Sequence, residues 1–374
     1  MTEDIVRLRH DLHAHPELSG EERRTHDLLA AYLKNLAPSR LYEQVGGYGL
    51  VAVFGDETAE TVAFRADIDA LPIQENNPLP YASVHAGVAH KCGHDGHAAI
   101  LLRLAEKLSE RMREGRLPRT ALLLFQPAEE TGEGSRRILE AGVLKKYPVS
   151  AIYGLHNLPG YPLGQLVFRR GTFAAASVGM VLNLHGRETH AAFPEKGLNP
   201  GLAVSEIIRE VLSLNTSPEL DGEGFRQATL IAVRLGKEAF GTSAGNAEVM
   251  FTLRAYTNRS MAGLKEKVCV LAQHIAGRYG LGHTIGWREP FNATENHEEQ
   301  VDTLVKTAEK AGLDQVMAAH PFRWSEDFAD YLMAFPGAFF GIGSGTEMPE
   351  LHHPDFDFPD VLIPAAADFL EKLL

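Results

Sequence analysis

The sequence is poor in cysteine and in positive charge. Its 374 residues contain two cysteines, Cys92 and Cys269, too few for the disulfide framework of a small secreted protein. Each is therefore a packed thiol, a nucleophile or a metal ligand. Lys and Arg number 36 against 49 Asp and Glu, a net charge of -13, which offers no attraction to phosphate backbones or anionic lipid. We expect neither nucleic acid nor a membrane among its partners.

Long apolar runs are also missing. Residues Met1 to Gly20 carry charges and histidines where a secretion signal needs an apolar stretch, and no run elsewhere is long enough to span a bilayer. We therefore expect a cytoplasmic protein. The length, with 44% hydrophobic residues, predicts two domains rather than one compact unit. Histidine is plentiful, at 17 residues.

The apolar pattern predicts an α/β fold. After an amphipathic helical segment from Asp4 to about Leu36, strand-like stretches alternate with helical ones, which is typical of a mostly parallel sheet. The predicted strands are GLVAVFG, TVAFRADID, TALLLFQ and SAIYGLHN, and the helices are AAILLRLAEKLSER and SRRILEAGVL. After Pro290 a helix, a buried strand (GAFFGIG) and a closing helix can complete the same sheet.

The pattern between these two parts differs. Residues 177–289 predict strand, helix, two strands, helix and strand, the βαββαβ order of a ferredoxin-like sandwich. We therefore predict a catalytic domain of residues 1–176 and 290–374, interrupted by a smaller domain of residues 177–289.

Chemically active side chains gather where the predicted strands end. Ligands bind beyond the carboxyl ends of the strands in a parallel α/β sheet, and five loops place metal-type side chains there. They are Asp67 and Asp69, Cys92 and His94, Glu129 and Glu130, His156, and His352. Any one of these residues alone is more often a core or surface side chain. Their shared position favours a metal site.

The kinds of side chain limit the metal. Thiolate, imidazole and carboxylate together suit zinc, manganese, cobalt or nickel, and suit magnesium or calcium poorly. Adjacent glutamates after one strand can have different roles, since one can bind metal while the other takes a proton from water. We interpret the remaining polar residues as structural or orienting groups: His85, His90, His97, His353, Asp67 and Asp69.

Eight motifs in order resemble the metallo-amidohydrolases, which include aminoacylases, hippurate hydrolases and auxin-conjugate hydrolases of the carboxypeptidase-like metallopeptidase superfamily. They are HPELSGEE, FRADIDALPI, KCGHDGHAAILL, FQPAEETGEGS, GLHNLPGYPLG, THAAFPEKGLNP, SEDFADYL and LHHPDFDF. The resemblance implies two divalent ions, zinc or manganese foremost, with Cys92 bridging them. It implies Glu129 as general base, and the remaining ligands as His94, Glu130, His156 and His352.

The resemblance also implies roles for the inserted domain, which in that family acts as a lid and dimerisation domain. His190 would bind the substrate or hold its oxyanion, often across a homodimer. Asn246 and Arg254 would contact the substrate carboxylate or help the oxyanion, and an arginine suits a carboxylate because its fork donates two hydrogen bonds. The chain departs from the family at Glu195, where many relatives have histidine, and at Lys91, for which the sequence offers no explanation.

The sequence thus predicts metal-dependent hydrolysis of the amide bond in an N-acyl amino acid or similar small molecule. Two alternatives remain. A thiol hydrolase would use Cys92 as nucleophile with a histidine base such as His94, but it leaves Glu129, Glu130 and His352 without a task. A metal-dependent binding protein on the same fold is the other, because fold alone does not determine function.

Overall fold

The computed structural model describes residues 2–374. Its α-helices are α1 (Thr2–Ala14), α2 (Arg23–Asn35), α3 (His94–Arg113), α4 (Gly134–Glu140), α5 (Gly201–Leu212), α6 (Asn258–Arg278), α7 (Glu298–Ala311), α8 (Ala329–Ala334) and α9 (Leu362–Glu371). Its strands are β1 (Arg40–Val45), β2 (Gly49–Phe54), β3 (Thr61–Asp67), β4 (Thr120–Gln126), β5 (Val149–Pro159), β6 (Leu166–Phe168), β7 (Gly171–Ala174), β8 (Ala176–His185), β9 (Thr189–His190), β10 (Arg226–Leu235), β11 (Thr242–Ser243), β12 (Asn246–Ala255), β13 (Gly282–Phe291), β14 (Thr294–Asn296), β15 (Gln315–Met317) and β16 (Gly337–Gly345). Among residues 2–374, no helix combines the length and the apolar character needed to cross a membrane.

The chain forms two compact units. The first, here the sheet unit, comprises the chain up to Phe173 with Thr294–Ala319 and Asp327–Leu374. Its eight-stranded sheet has the order β1-β2-β4-β3-β5-β16-β6-β15. The central strands β4, β3, β5 and β16 run parallel to one another. This confirms the predicted mostly parallel sheet, completed by the strand that follows the insertion.

The sheet unit is held together by strands buried along their whole length. Every residue of β2, β3 and β4 is buried, as expected for strands of a sheet that is covered on both faces. The long helix α3 packs against α1 and α9, and these helices share one apolar cluster with the strands. Burial of this apolar surface is the main force that stabilises the sheet and so determines where its strands end.

The second unit, here the inserted unit, comprises Ala174–Ala293 and His320–Glu326. Its antiparallel sheet has the order β10-β12-β8-β13, and α5 and α6 pack on it through one apolar cluster. The strand β12 alternates buried and partly exposed residues, the pattern of a sheet with one covered face. The predicted βαββαβ order is confirmed. The segment 320–326, distant in sequence, also belongs to this unit.

Candidate metal centre

The predicted site residues follow parallel strands whose ends are level with one another. Asp67 at the end of β3 pairs with Gln126 at the end of β4, so Asp69 and the Glu129–Glu130 pair continue from the same edge. On the other side of β3, β5 carries His156 to that edge, opposite Gly341 of β16. This alignment brings side chains from distant parts of the sequence into one place.

Cys92 and His94 enter the site at the start of α3. Gly93 between them has φ 98°, a left-handed conformation that glycine adopts with little strain. A Cβ at this position would collide with the side chain of Asn157. A glycine is therefore required for the tight turn that directs the thiol and the imidazole to the same side.

The side chains of all five predicted ligands come together. The Cys92 sulfur lies 3.3 Å from Nε2 of His156, and Glu130 Oε1 lies 3.8 Å from His94 Nε2 and 3.7 Å from His352 Nε2. The ligand atoms form two groups, Cys92–His94–His156 and Cys92–Glu130–His352, each with its atoms within 4.8 Å of one another. Cys92 is common to both groups.

This cluster fits divalent metal ions. His94 Nδ1 contacts the backbone and side-chain oxygens of Asp69 at 3.0 and 3.2 Å, which directs Nε2 into the cluster. Nε2 is buried, yet it makes no hydrogen bond within the described residues 2–374. A buried polar atom is costly unless something satisfies it. Sulfur, imidazole and carboxylate around such an atom are the donors that zinc or another borderline transition metal prefers.

Electrostatics at the cluster argue against a free thiolate. Burial, together with the Glu130 carboxylate, raises the pKa of the Cys92 thiol well above its usual value. Burial and the neighbouring His97 lower the pKa of His156. Reactive cysteines have the opposite property, a lowered pKa. The raised pKa keeps Cys92 protonated and therefore disfavours it as a free nucleophile. A bound cation would favour the thiolate form.

Asp67 and His97, interpreted from the sequence as orienting groups, lie beside His94. His97 Nδ1 lies 2.6 Å from Asp67 Oδ1, and its Nε2 lies 2.6 Å from Asn157 Oδ1. Asp67 is also bound by the buried guanidinium of Arg65 at 2.6 Å. Asp67 and His97 therefore fix each other's orientation next to His94. Asn157 is absent from the sequence predictions, because nothing local in NLPG indicates that its amide meets His97.

The ammonium of Lys91 binds groups outside the ligand cluster. Its Nζ is buried and donates to Glu75 Oε1 at 2.5 Å and to the Phe356 carbonyl at 2.7 Å. Its own carbonyl accepts the backbone N–H of His352 at 2.7 Å. Lys91 thus connects the segment that carries Cys92 with the loop that carries His352, which explains a residue that the sequence leaves unexplained.

Glu129 and Glu130 differ in their surroundings. Glu129 is buried, and its Oε1 accepts the backbone N–H of Asp327 at 3.4 Å. Its carboxylate also lies within 4.8 Å of ligand atoms of His94 and Glu130. Glu130 is partly exposed and faces both His94 and His352. The adjacent carboxylates therefore have the different environments needed for two different tasks.

The inserted unit separates two of its predicted substrate residues. Asn246 begins β12 and Arg254 lies near its end, so eight residues at about 3.4 Å each place them roughly 27 Å apart along the strand. His190 lies on β9, which pairs with β11 just before Asn246. Within one copy of this unit, Arg254 and Asn246 therefore cannot contact the same small molecule.

His190 and Arg254 have defined local partners. His190 is exposed, and its Nδ1 accepts the backbone N–H of Ala192 at 3.1 Å, so its proton belongs on Nε2. Arg254 Nη1 donates to the carbonyl of Arg323 and to Oγ of Ser325, at 2.8 and 2.9 Å. Glu195, at which the sequence departs from the resemblance, is exposed in a short helical turn.

The profile of peptidase family M20/M25/M40 matches residues 63–374. The chain belongs to this family. An N-acetylcysteine deacetylase of Bacillus subtilis is 32% identical over 371 residues, covering 99% of this chain and 95% of that protein. IAA-amino acid hydrolase ILR1-like 5 of Arabidopsis thaliana is 34% identical over 384 residues, with 99% and 85% covered.

Solved structures agree with this assignment. The YXEP protein of Bacillus subtilis, described as a dinuclear metal-binding peptidase of the M20 family, superposes with a TM-score of 0.84 at 30% identity. The match covers 100% of this chain and 96% of that one. The predicted family, the two-domain α/β fold and the class of enzyme are thereby confirmed. The protein is a metal-dependent hydrolase of amide bonds with a two-metal centre, and neither a thiol hydrolase nor a binding protein without activity.

Proposed function

We propose that the protein removes the acyl group from a small N-acyl amino acid, with Cys92 shared between two metal ions. The observation that carries this proposal is the membership of Cys92 in both close groups of ligand atoms. One relative is named for N-acetylcysteine and another for an amino acid conjugate, which supports a small N-acylated substrate. The other proposed ligands are His94, Glu130, His156 and His352.

When bound, the ions would polarise the amide carbonyl and make a water molecule easier to deprotonate. Glu129 takes a proton from this water as it attacks the acyl carbon, then passes it to the leaving nitrogen. The N–H of Asp327 holds one oxygen of Glu129, which leaves the carboxylate oriented for these transfers. Burial excludes bulk water and strengthens the electrostatic contacts of the group.

His190, Asn246 and Arg254 are the proposed substrate residues. With Nδ1 engaged by Ala192, His190 presents an Nε2–H donor suited to an oxyanion. The distance along β12 supports a division in which Arg254 serves one active site while His190 and Asn246 serve another. We therefore propose that His190 acts in the active site of a second copy of the chain.

The dimer that this requires would form through the edge strand β10. Among the described residues 2–374, this strand pairs with β12 alone, and it exposes Leu230, Ile231, Val233 and Leu235. An exposed apolar edge strand is a template for pairing with another chain. Light scattering should give about 82 kDa, twice the 41.0 kDa of one chain.

The variant Ile231→Lys/Val233→Lys should lower the scattering mass toward that of one chain, because buried lysines in a strand pair lack partners. Val270→Lys, at an exposed apolar position on α6, is the matched control and should leave the mass unchanged. A wild-type protein that scatters as a single chain at micromolar concentration contradicts the proposed dimer.

Zinc or manganese is the proposed native metal, with cobalt and nickel as substitutes, because the thiolate and imidazoles suit these ions. Both cysteines are free, and a free thiol is typical of a reducing compartment. We propose a cytoplasmic location on this basis. Metal analysis of protein purified without added metal tests the first point, and cell fractionation tests the second.

Glu129→Gln tests the proposed general base. The variant should keep its metal and lose at least about a hundredfold in kcat on acetyl- and benzoyl-amino acids, since an amide cannot take the proton. Glu133→Gln, an exposed position nearby, is the control and should retain normal activity. A Glu129→Gln enzyme within a few fold of wild type shows that another group is the base.

Removal of metal tests the remaining part of the proposal. A chelator should abolish hydrolysis, and manganese or zinc should restore it. Activity that persists in chelator with no bound metal contradicts the metal mechanism.

A further inference from the structure

The HPELSGEE motif lies beside the loop that carries Glu129. Leu18 forms an isolated parallel bridge with Ala70, and the Glu17 carbonyl accepts the N–H of Ala70 at 2.8 Å. The Glu17 carboxylate instead accepts the N–H groups of Arg24 and Thr25 at the start of α2, at 2.9 and 2.7 Å. The backbone contacts with Ala70 hold Ser19 to Glu22 against the strand-end loops of the sheet unit.

Glu22 is fully buried and binds the residue before Glu129. Its Oε1 accepts the N–H of Ala128 at 2.8 Å and the N–H of Gly20 at 2.8 Å. Ala128 has φ 53°, a left-handed conformation that costs energy for alanine and not for glycine. The carboxylate of Glu22 is thus bound to the strained peptide that determines the direction of the following residue.

The residue after Glu129 is held in the same way. The N–H of Glu130 donates to Asp69 Oδ2 at 3.0 Å, and this oxygen also accepts Ser19 Oγ at 2.6 Å. Two buried carboxylates therefore bind the backbone N–H groups on either side of Glu129. The segment from Ser19 to Glu22 contributes to both contacts, directly through Glu22 and through Asp69.

We propose that Glu22 is a positioning residue for the hydrolysis: by holding Ala128 in its left-handed conformation, it aims the carboxylates of Glu129 and Glu130. This inference rests on the proposed roles of those two glutamates. The partly exposed Glu17 carboxylate, by contrast, binds N–H groups at the start of α2. Glu22 binds the one backbone N–H whose loss would release a strained turn next to the proposed base.

The test compares Glu22→Ala with Glu17→Ala in the full-length protein. Glu22→Ala should lower kcat by about tenfold or more with little change in KM, because the base is misdirected while binding persists. It should also weaken cobalt binding to the metal-free protein, measured by absorption titration, because Glu130 moves as well. Glu17→Ala should lower the melting temperature and leave kcat and cobalt affinity unchanged.

The double variant Glu22→Ala/Ala128→Gly separates positioning from general stability. Glycine adopts positive φ without the penalty, so it should recover most of the lost kcat, and Ala128→Gly alone should resemble wild type. Glu22→Gln, which keeps an oxygen acceptor, should lose less than Glu22→Ala. If Glu22→Ala does not fold, Glu22→Gln with and without Ala128→Gly gives the same comparison.

Three results overturn the proposal: an unchanged kcat in folded Glu22→Ala, a loss of kcat in Glu17→Ala equal to that in Glu22→Ala, or no recovery with Ala128→Gly. Failure of the proposed function has a different signature, since Glu129→Gln would then remain active. An inactive Glu129→Gln beside a fully active Glu22→Ala refutes the positioning role alone.

Discussion

Replacing Lys91 by methionine should destabilise the sheet unit strongly for a single substitution. The Lys91 ammonium is buried, with Glu75 Oε1 at 2.5 Å and the Phe356 carbonyl at 2.7 Å. Methionine keeps most of the aliphatic stem, so the change removes the charge with little loss of packing. What remains is a buried carboxylate without its lysine and a Phe356 carbonyl that keeps only the Asn77 amide as a donor, at 3.2 Å.

The magnitude follows from these contacts. Removing one partner of a buried ion pair costs about 3–5 kcal/mol. Glu75 retains His13 at 3.0 Å and the N–H of Ser83 at 2.6 Å, which compensates part of the loss. We therefore expect the lower end, about 3 kcal/mol in the free energy of unfolding.

The assay is urea unfolding followed by circular dichroism in chelator, so that metal binding does not contribute to the measured stability. Lys34→Met is the matched control, because Lys34 forms the same kind of pair with Glu43 at 2.9 Å on the surface. That variant should lose less than about 1 kcal/mol. Lys91→Met/Glu75→Gln should recover part of the loss, since no unpaired carboxylate is left. Equal small losses at Lys91 and Lys34 would refute the reasoning.

Three further outcomes are expected. Burial opposes the charged form of His13, but Asp95 and Glu75 outweigh it and raise the His13 pKa above 6.5. The difference in unfolding free energy between wild type and His13→Gln should therefore be full below pH 6.5 and decrease as pH rises through the folded pKa. A difference that increases with pH in unfolding titrations would contradict this. Thr257 accepts the N–H of Ser260 at 3.0 Å as the N-cap of α6, so Thr257→Ala should cost about 1 kcal/mol; an unchanged melting temperature would show that this cap is dispensable. His352→Ala should lower the bound metal measured by atomic emission, and full metal content would remove it from the proposed ligands.

The alternation of strands and helices was predictable because it depends on local patterns. Continuous apolar runs indicate strands covered on both faces, and β3 and β4 are buried throughout. The candidate ligands were predictable for a related reason, because the carboxyl ends of parallel strands meet at one edge. The strand β1, which is polar and buried only at Val45, was not predicted because it has neither an apolar run nor a clear alternation.

Other parts of the site could not be predicted from local patterns. The contact of Glu22 with Ala128 joins residues 106 positions apart, and Lys91 meets Phe356 across 265. The composition and spacing of the sequence near Glu22 or Lys91 do not predict Ala128 or Phe356 as their partners. The separation of Asn246 and Arg254 also became clear only from the structure, which places them at opposite ends of β12. The resemblance assigns both residues to the substrate without stating where each lies.

The sequence by itself determined the kinds of atoms at the centre and the strands that deliver them, since side-chain chemistry and apolar periodicity are properties of short segments. The tertiary structure alone decided which groups hold these atoms in place. Hydrogen bonds such as those of Glu22, Asp69 and Lys91 depend on the packed core, because burial of apolar surface is what brings distant loops within 3 Å of one another.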